Sequence, residues 1–586
     1  MKELVLCRGL KVMGLVLMMC QLPLGRLSAQ DIASIAQSDP LIMTGSVGTS
    51  NTYHYTSVGD GYASPMSNMV YANLNISLYG ISMPFSFYYS NDNTSFSYPQ
   101  FSFSLSPTYK QWTGHIGQSS MDFSPYVLNM SWNGVGLEYN AEKLRVGAFY
   151  GRLRSAINDD PTDPAARRPQ YKRMGWGIKV GYGTRSNYLD LYLLKAYDCL
   201  NTLNEAWREV VSPQDNLVVG LRGCLTPLPW ASLTANVATS VFSKDTRSEK
   251  IDDDRAARWD NLFDVRYSSL MRFAGDVTLN MRLPYNINTS LCYRMVQPDY
   301  TSLGTYYMAN NYHSFGLNAS TMLLKKVTLA GTFSVQSDNL GNTQLYTTSG
   351  YVYSLMASSR LGNHFNLSMG YNGYTQKQTD GTAHVNDSTR VNRQLSSFTI
   401  TPTYMLDTDN FSHTISLTAN YTSNKDKNPY TEAINHSNVE TVALGLNYGL
   451  NVKPWEVDFG FTFSHQKTEG YRSKYRSEVG TVSASRSFLE QKNLHLNASL
   501  SMCYNEVERQ SKSLSLGGDF SVGYTVKDVH SFSLSTSLYK YGDVNISQTR
   551  SKLDCTDFTC SLNYVYTFSL IEIKRKAKEE KQSDTH

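Results

Sequence analysis

The chain has 586 residues, of which 41% are hydrophobic and 17% charged, and its formal net charge at pH 7 is +4. The charged fraction lies below the roughly 25% of soluble domains, while aromatic residues reach 12% with 41 tyrosines. So small a net charge argues against a nucleic-acid partner. The composition is typical of a β-rich chain at an interface.

The N-terminus has the features of an export signal. Lys2, Arg8 and Lys11 form a basic start, an apolar run covers 12 to 19, and Leu27-Ser28-Ala29 supplies small residues for cleavage. The apolar run is shorter than the roughly 20 residues of a spanning helix, which disfavours an uncleaved anchor. We therefore predict a secretory signal over residues 1–29 and a mature chain that begins at Gln30.

After residue 30 no run of 18 apolar residues occurs, which excludes a helical membrane protein. Residues 132–156 instead predict a hairpin in which apolar and polar positions alternate. Val135, Leu137 and Tyr139 share a face before the turn, and Leu144, Val146, Ala148 and Tyr150 share it afterwards. We predict that this apolar face contacts lipid and that Glu138 and Arg145 face the lumen of a barrel.

Short and long breaks between the predicted strands take turns along the chain. The short breaks fall near 79–80, 140–143, 184–187, 227–229, 284–286, 324–326, 361–364, 407–410, 453–454, 490–493 and 527–530. Long polar segments lie between most of them, at 158–170, 243–258, 375–394 and 422–438 among others. Short turns at one rim and long loops at the other are typical of transmembrane β-barrels.

The predicted fold is an all-β, antiparallel, up-and-down transmembrane β-barrel over residues 67–573, with short periplasmic turns and long extracellular loops. Eleven turns with two strands each, plus a terminal strand, give 23 strands. Since bacterial single-chain barrels close with an even number, we expect about 24, within a range of 22 to 26. The segment 101–117 could supply one or two more strands. Residues 30–66 are predicted to form a periplasmic or lumenal segment too short for a plug domain.

The last predicted strand has seven consecutive apolar or aromatic residues on one face, namely Phe558, Cys560, Leu562, Tyr564, Tyr566, Phe568 and Leu570. This strand resembles the C-terminal signal of Gram-negative outer-membrane β-barrel proteins, and residues 81–153 look like large barrels of uncharacterised, porin-like or transporter-like type. The resemblance implies insertion by the barrel assembly machinery. The sequence departs from the pattern because a charged segment, 574–586, follows the strand, and we predict that it is a periplasmic tail.

No residue pattern predicts catalysis, a cofactor or a bound metal. The chain has no phosphate-binding loop, no HExxH motif and no Ser/His/Asp arrangement, and the six mature cysteines are scattered. Acidic residues cluster at 158–164 and 251–260, where Asp159, Asp160 and Asp163 or Asp252, Asp253 and Asp254 could hold calcium. A solvated acidic loop is the favoured interpretation of both.

The sequence therefore predicts a non-enzymatic barrel in the outer membrane of a Gram-negative bacterium, reached by secretion through the inner membrane. We expect a channel or an export barrel whose lumen is gated or plugged by its own loops or by a separate accessory protein. The alternative is a scaffold or binding protein that uses its loops or its C-terminal tail. Glycines on the polar face, including Gly175, Gly177, Gly181 and Gly183, are predicted to leave space in the lumen for water or for an inserted segment.

Overall fold

A computed structural model describes residues 41–57, 65–91, 101–160, 162, 167–252, 262–471, 473–508, 511–545 and 555–573. The predicted signal 1–29 and the tail 574–586 lie outside these residues. The described residues form one antiparallel sheet of 27 strands, in which consecutive strands pair except β4 and β5. No helix among them is long and apolar enough to cross a membrane.

Strands in the first half of the chain are β1 Leu41–Thr56, β2 Met66–Leu78, β3 Ile81–Ser90, β4 Phe101–Leu105, β5 Thr108–Tyr109, β6 Trp112–Ser119, β7 Trp132–Asn140, β8 Leu144–Arg154, β9 Arg173–Gly183, β10 Tyr188–Asp198, β11 Asp215–Leu228, β12 Ala231–Ser243, β13 Ser269–Leu283 and β14 Ile287–Val296.

Strands in the second half are β15 Tyr312–Leu323, β16 Val327–Asp338, β17 Tyr346–Leu361, β18 Phe365–Asp380, β19 Asn392–Asp407, β20 Phe411–Asp426, β21 Val439–Val452, β22 Val457–Gly470, β23 Ser473–Phe488, β24 Leu494–Val507, β25 Ser511–Val526, β26 His530–Asn545 and β27 Cys555–Ile573. Within the described ranges, two short α-helices, α1 Glu205–Val210 and α2 Pro429–Asn435, lie in loops.

The sheet closes on itself because β1 pairs with β27 from Leu41 opposite Ile573 to Thr56 opposite Asp557. Across this seam the Thr52 and Ser561 hydroxyls lie 2.9 Å apart. β4 and β5 are two pieces of one strand, since both pair with β3 and with β6. The result is a closed barrel of 26 strands, which confirms the predicted all-β barrel, at the upper limit of its range.

The barrel begins earlier than the sequence predicts. Residues 30–66 were expected to lie outside the barrel, yet β1 occupies 41–56 and pairs on both sides. The outward positions of β1 include Thr49 and Asn51, so this strand lacks the apolar alternation of the others. Its place is set instead by backbone pairing with β2 and β27.

Two further strands come from residues 101–119, the region flagged as a source of extra strands. The turn at Lys110-Gln111 joins β5 to β6 and was not among the predicted short breaks. Pro107 lies between β4 and β5 and has no amide hydrogen to donate to the sheet. The strand is therefore broken there, and the alternation of apolar and polar residues is too short on either side to be recognised.

The loops opposite the short turns are shorter than predicted in the second half. β18 runs to Asp380, β19 begins at Asn392 and β20 runs to Asp426. Both ends of 375–394 and the first five residues of 422–438 are therefore strand. Residues 471–472 alone join β22 to β23. Polar residues near the ends of these strands remain in the sheet because their backbone groups are paired there.

The outer surface of the barrel is an apolar belt. Val135 and Tyr150 of the β7–β8 hairpin are 56% and 46% exposed, and large apolar side chains of the same parity are exposed on strands around the barrel. Tyr371, Tyr404, Tyr421 and Tyr524 are also exposed on this surface. In a bilayer this belt faces lipid, as predicted.

The seam predicts a specific cross-link. In a background with the native cysteines replaced by serine, Thr52→Cys with Ser561→Cys should form a disulfide on oxidation, since the two positions are direct cross-strand partners. Thr52→Cys with Ser535→Cys is the matched control, because Ser535 pairs with Ser561 from the far side and lies one strand further away. Non-reducing gels report the product. Equal cross-linking of both pairs, or of neither, would contradict the closed seam.

Candidate functional site: the lumen and its inward layer

Two loops turn inward and cover part of the inner wall of the barrel. They are residues 120–131, between β6 and β7, and residues 297–311, between β14 and β15, and we call them together the inward layer. Their buried apolar side chains are Met121, Phe123, Tyr126, Val127, Leu128, Met130, Tyr300 and Leu303. These pack on inward side chains of β8 to β14, such as Phe149, Tyr192, Leu194 and Val218. One sector of the barrel therefore has an apolar core inside it.

Glycines in the wall make room for this layer. A Cβ on Gly177 would lie 2.4 Å from the Phe149 ring and 3.1 Å from the Phe123 ring. A Cβ on Gly220 would lie 2.5 Å from the Val127 side chain. Of the four glycines named from the sequence, only Gly177 lies against the layer. A Cβ on Gly175 or Gly181 would instead meet the wall side chains of Leu153 and Asp190.

Hydrogen bonds join the two inward loops to each other. The Tyr300 hydroxyl donates to the Tyr126 carbonyl at 2.8 Å, and the Ser302 hydroxyl donates to the Val127 carbonyl at 2.6 Å. The Asn129 amide donates to the Gly304 carbonyl at 3.0 Å. These bonds satisfy backbone groups that the apolar surroundings would otherwise leave without partners.

Polar side chains of the wall form hydrogen bonds with both loops of the layer. On β11 the fully buried Asn216 accepts a hydrogen bond from the Leu303 amide at 2.9 Å. On β12 the Ser240 hydroxyl donates to the Thr301 carbonyl at 2.5 Å. On β13 the Asp276 carboxylate accepts from the Tyr126 hydroxyl at 2.7 Å. The layer is thus bound to the wall as one protein core.

Charged groups lie between the apolar core and the rim that carries the short turns. Arg222 donates two hydrogen bonds to Asp122, at 2.6 and 3.1 Å, and also contacts Asp190 at 3.5 Å. The hydrogen bonds from Arg222 hold the pKa of Asp122 below its usual range. The carboxylate thus stays ionised, and this ion pair persists, until the pH falls through that lowered pKa.

The two lumen-facing residues of the β7–β8 hairpin belong to the same charged region. Glu138 pairs with Lys179 and lies 3.0 Å from His115 Nε2, while Arg145 pairs with Asp190 at 2.7 Å. The prediction that Glu138 and Arg145 face the lumen is confirmed. The two residues do not pair with each other, since each forms its ion pair with a residue two strands further along the wall, on β9 and β10.

The rest of the inner wall, on β15 to β27 and β1 to β4, is polar and nearly uncharged. Its inward positions are mainly serine, threonine, asparagine and glycine, as the register of the sheet shows. Asp519 lies at mid-height, where it accepts from Ser499 at 3.0 Å and from Tyr539 at 3.1 Å. The other ionisable inward residues described on these strands lie near strand ends.

A concave recess of about 620 Å³ lies near the short-turn rim of the wall, between β12 and β16. Asn280, Asn288 and Asn318 line it with several hydroxyl side chains, and Trp230 and Arg282 also contribute. The sequence alone does not predict this recess, because its residues are far apart in the chain and follow no motif. Only the register of five strands brings them together.

The aspartates of the first candidate calcium loop bind residues of the same loop. Asp159 binds Arg167 at 2.8 Å, and this hydrogen bond lowers the pKa of Asp159 to about 2. Asp160 accepts from the Thr162 amide at 2.9 Å. Within the described ranges, no group of three His, Cys, Asp or Glu residues could hold a metal ion. Asp163, Asp253 and Asp254 lie outside the described residues.

A substitution at Gly220 tests whether the layer packs against the wall. Gly220→Val should displace Val127 and destabilise the layer by about 1 to 3 kcal/mol, the usual cost of overpacking. Hydrogen exchange at amides 127–129 should then accelerate roughly tenfold to a hundredfold. Gly370→Val is the control, since a Cβ there meets nothing within 4 Å. Equal exchange in both variants would show that the layer does not rest on this wall.

No protein-family model matches the chain, and a search of curated proteins finds no match. Solved barrel structures do align. The P pilus usher PapC translocation pore has 9% identity and a TM-score of 0.37, with 90% of this chain and 100% of that chain covered. BauA, the ferric preacinetobactin receptor from Acinetobacter baumannii, has 10% identity and a TM-score of 0.36, with 89% and 80% covered. Acinetobacter baumannii OccAB3 has 9% identity and a TM-score of 0.29, with 68% and 99% covered.

The architecture itself supports the resemblance drawn from the last strand. A closed antiparallel barrel leaves no unpaired edge. Its outer surface is apolar, and its inner wall is polar outside the sector that the inward layer covers. The chain therefore has the architecture of a transmembrane β-barrel.

Proposed function

We propose that this barrel is a transport conduit for hydrophilic solutes and that its inward layer narrows the bore. The observation that carries the proposal is the unequal inner wall. The apolar sector on β8 to β14 is covered by the chain's own loops, while the hydroxyl and amide sector on β15 to β27 and β1 to β4 faces the lumen. A wall of this polarity is suited to contact with water.

Barrel size supports a conduit that needs narrowing. Barrels of 16 to 18 strands already leave an aqueous channel, and the diameter grows with strand number. An unobstructed barrel of 26 strands would make the outer membrane leaky. The inward layer reduces the free cross-section without a separate plug domain.

The packing favours a permanent narrowing over a mobile gate. Burial of each large apolar side chain is worth roughly 1.5 to 3 kcal/mol. Displacement of the layer would expose Phe123, Val127, Leu128 and Tyr300 together with the wall residues beneath them, at a cost on the order of 10 kcal/mol. A displaced state would then be rarer than one molecule in about a million.

Conductance in planar bilayers tests the proposal. The wild-type barrel should give steady single-channel steps without spontaneous closure of the whole pore. Replacement of residues 121–130 by a short Gly-Ser linker should raise the conductance several-fold, because it removes the narrowing. Replacement of 383–389, in the loop between β18 and β19, is the control and should leave conductance unchanged.

Two outcomes would contradict the proposal. Absence of conductance in both the wild type and the linker variant would favour a scaffold or binding role. Equal conductance of the wild type and the linker variant would mean that residues 120–131 do not narrow the pore.

A further inference from the structure

The register of the sheet places a continuous row of uncharged polar side chains across the inner wall. Its lower half passes from β12 to β16 through direct cross-strand partners, which are Ser232, Asn280, Ser290, Asn318 and Thr332. Its upper half continues from β17 to β22 in the same way, through Ser354, Asn372, Ser397, Thr422, Thr441 and Thr468. We call this row the hydroxyl-amide ribbon.

The ribbon climbs the barrel because its direction is perpendicular to strands that are themselves tilted. Asn280 is three residues from the periplasmic end of β13 at Leu283, whereas Thr468 is eleven residues from the periplasmic end of β22 at Val457. The difference of eight residues corresponds to roughly 26 Å along a strand. The ribbon therefore runs from the periplasmic rim towards the external rim.

Members of the ribbon are spaced as a chain of donors and acceptors. Asn318 donates to Ser290 at 3.1 Å, Thr422 donates to Ser397 at 3.0 Å, and the Thr441 and Thr468 hydroxyls lie 3.0 Å apart. Neighbouring strands are about 4.8 Å apart, so a new polar group occurs at that interval. A bound polymer with hydroxyl groups at similar intervals would meet a partner at every strand.

The recess lies at the foot of the ribbon and has unused hydrogen-bonding capacity. Asn280 and Asn288 are exposed in it, and their amide groups make no hydrogen bond within the described part of the chain. Trp230, which is 47% exposed, adds an aromatic surface to the same recess. Free amides beside an exposed indole form a site for a ligand with both hydroxyl groups and an apolar face.

We propose that the recess binds an uncharged oligosaccharide and that the ribbon is its path along the wall. The proposal rests on the conduit function and names the substrate class for it. A sugar ring has hydroxyl groups at its edge, which the amides and hydroxyls can bind, and an apolar C–H face, which can lie on Trp230. A polypeptide fits less well, because about a quarter of its residues carry charges and the ribbon offers them no counter-charge.

Ligand titrations of the full-length barrel in detergent test the site, with binding read by saturation-transfer difference NMR. The probes are maltohexaose, cellohexaose and N-acetylchitohexaose, and a neutral Gly-Ser hexapeptide serves as the competing polymer class. At least one oligosaccharide should bind, and the peptide should bind more weakly. Removal of the two free amides in Asn280→Ala with Asn288→Ala should weaken oligosaccharide binding about tenfold.

Asn497→Ala is the matched control, since Asn497 is an exposed inward asparagine of β24 outside the ribbon. It should leave binding unchanged, whereas Trp230→Ala should weaken it. The site is wrong if none of the three oligosaccharides binds, if the peptide binds more tightly, or if Asn497→Ala has the same effect as the double variant. Because these titrations need no ion flow, oligosaccharide binding without conductance would overturn the conduit and leave the site in place.

Discussion

The structure depends on one constraint, that every backbone amide and carbonyl in the bilayer must be hydrogen-bonded inside the protein. The β1–β27 seam meets it, since this pairing removes the last free edges of the sheet. With no edge left, the outward side chains of most strands are apolar, and the uncharged polar side chains are concentrated on the inner face. The inner face divides into a sector covered by the inward layer and a sector that is polar and open.

In the covered sector, glycines of the wall leave room for the side chains of the inward layer. A side chain at Gly177 or Gly220 would collide with the layer. The loops can pack against the wall at these two positions because glycine has no Cβ. The buried Asn216 and Ser240 then satisfy the loop backbone, which would otherwise be costly to bury. The apolar part of the wall and the two loops stabilise each other, and the bore is narrowed by the same contacts.

Much of the barrel could be predicted from alternation, because a period of two records which face meets lipid. The β7–β8 hairpin, its outward Val135 and its inward Glu138 follow from that pattern. β1 could not be predicted in this way, because Thr49 and Asn51 face outward at the seam. The inward layer and the recess could not be predicted in this way. Val127 meets Gly220, and Asn280 meets Ser232, only when the whole wall is assembled.

Cysteine accessibility tests most directly whether the inner wall has a covered and an open sector. Single cysteines at Ser483, Val218 and Val482 would be treated with a charged, membrane-impermeant thiol reagent in intact outer membranes. Ser483 faces the open lumen, Val218 is covered by the layer, and Val482 is 51% exposed on the outer belt. Only the cysteine at 483 should react quickly. Rapid reaction at 218 would contradict the inward layer, and rapid reaction at 482 would contradict the lipid-facing belt.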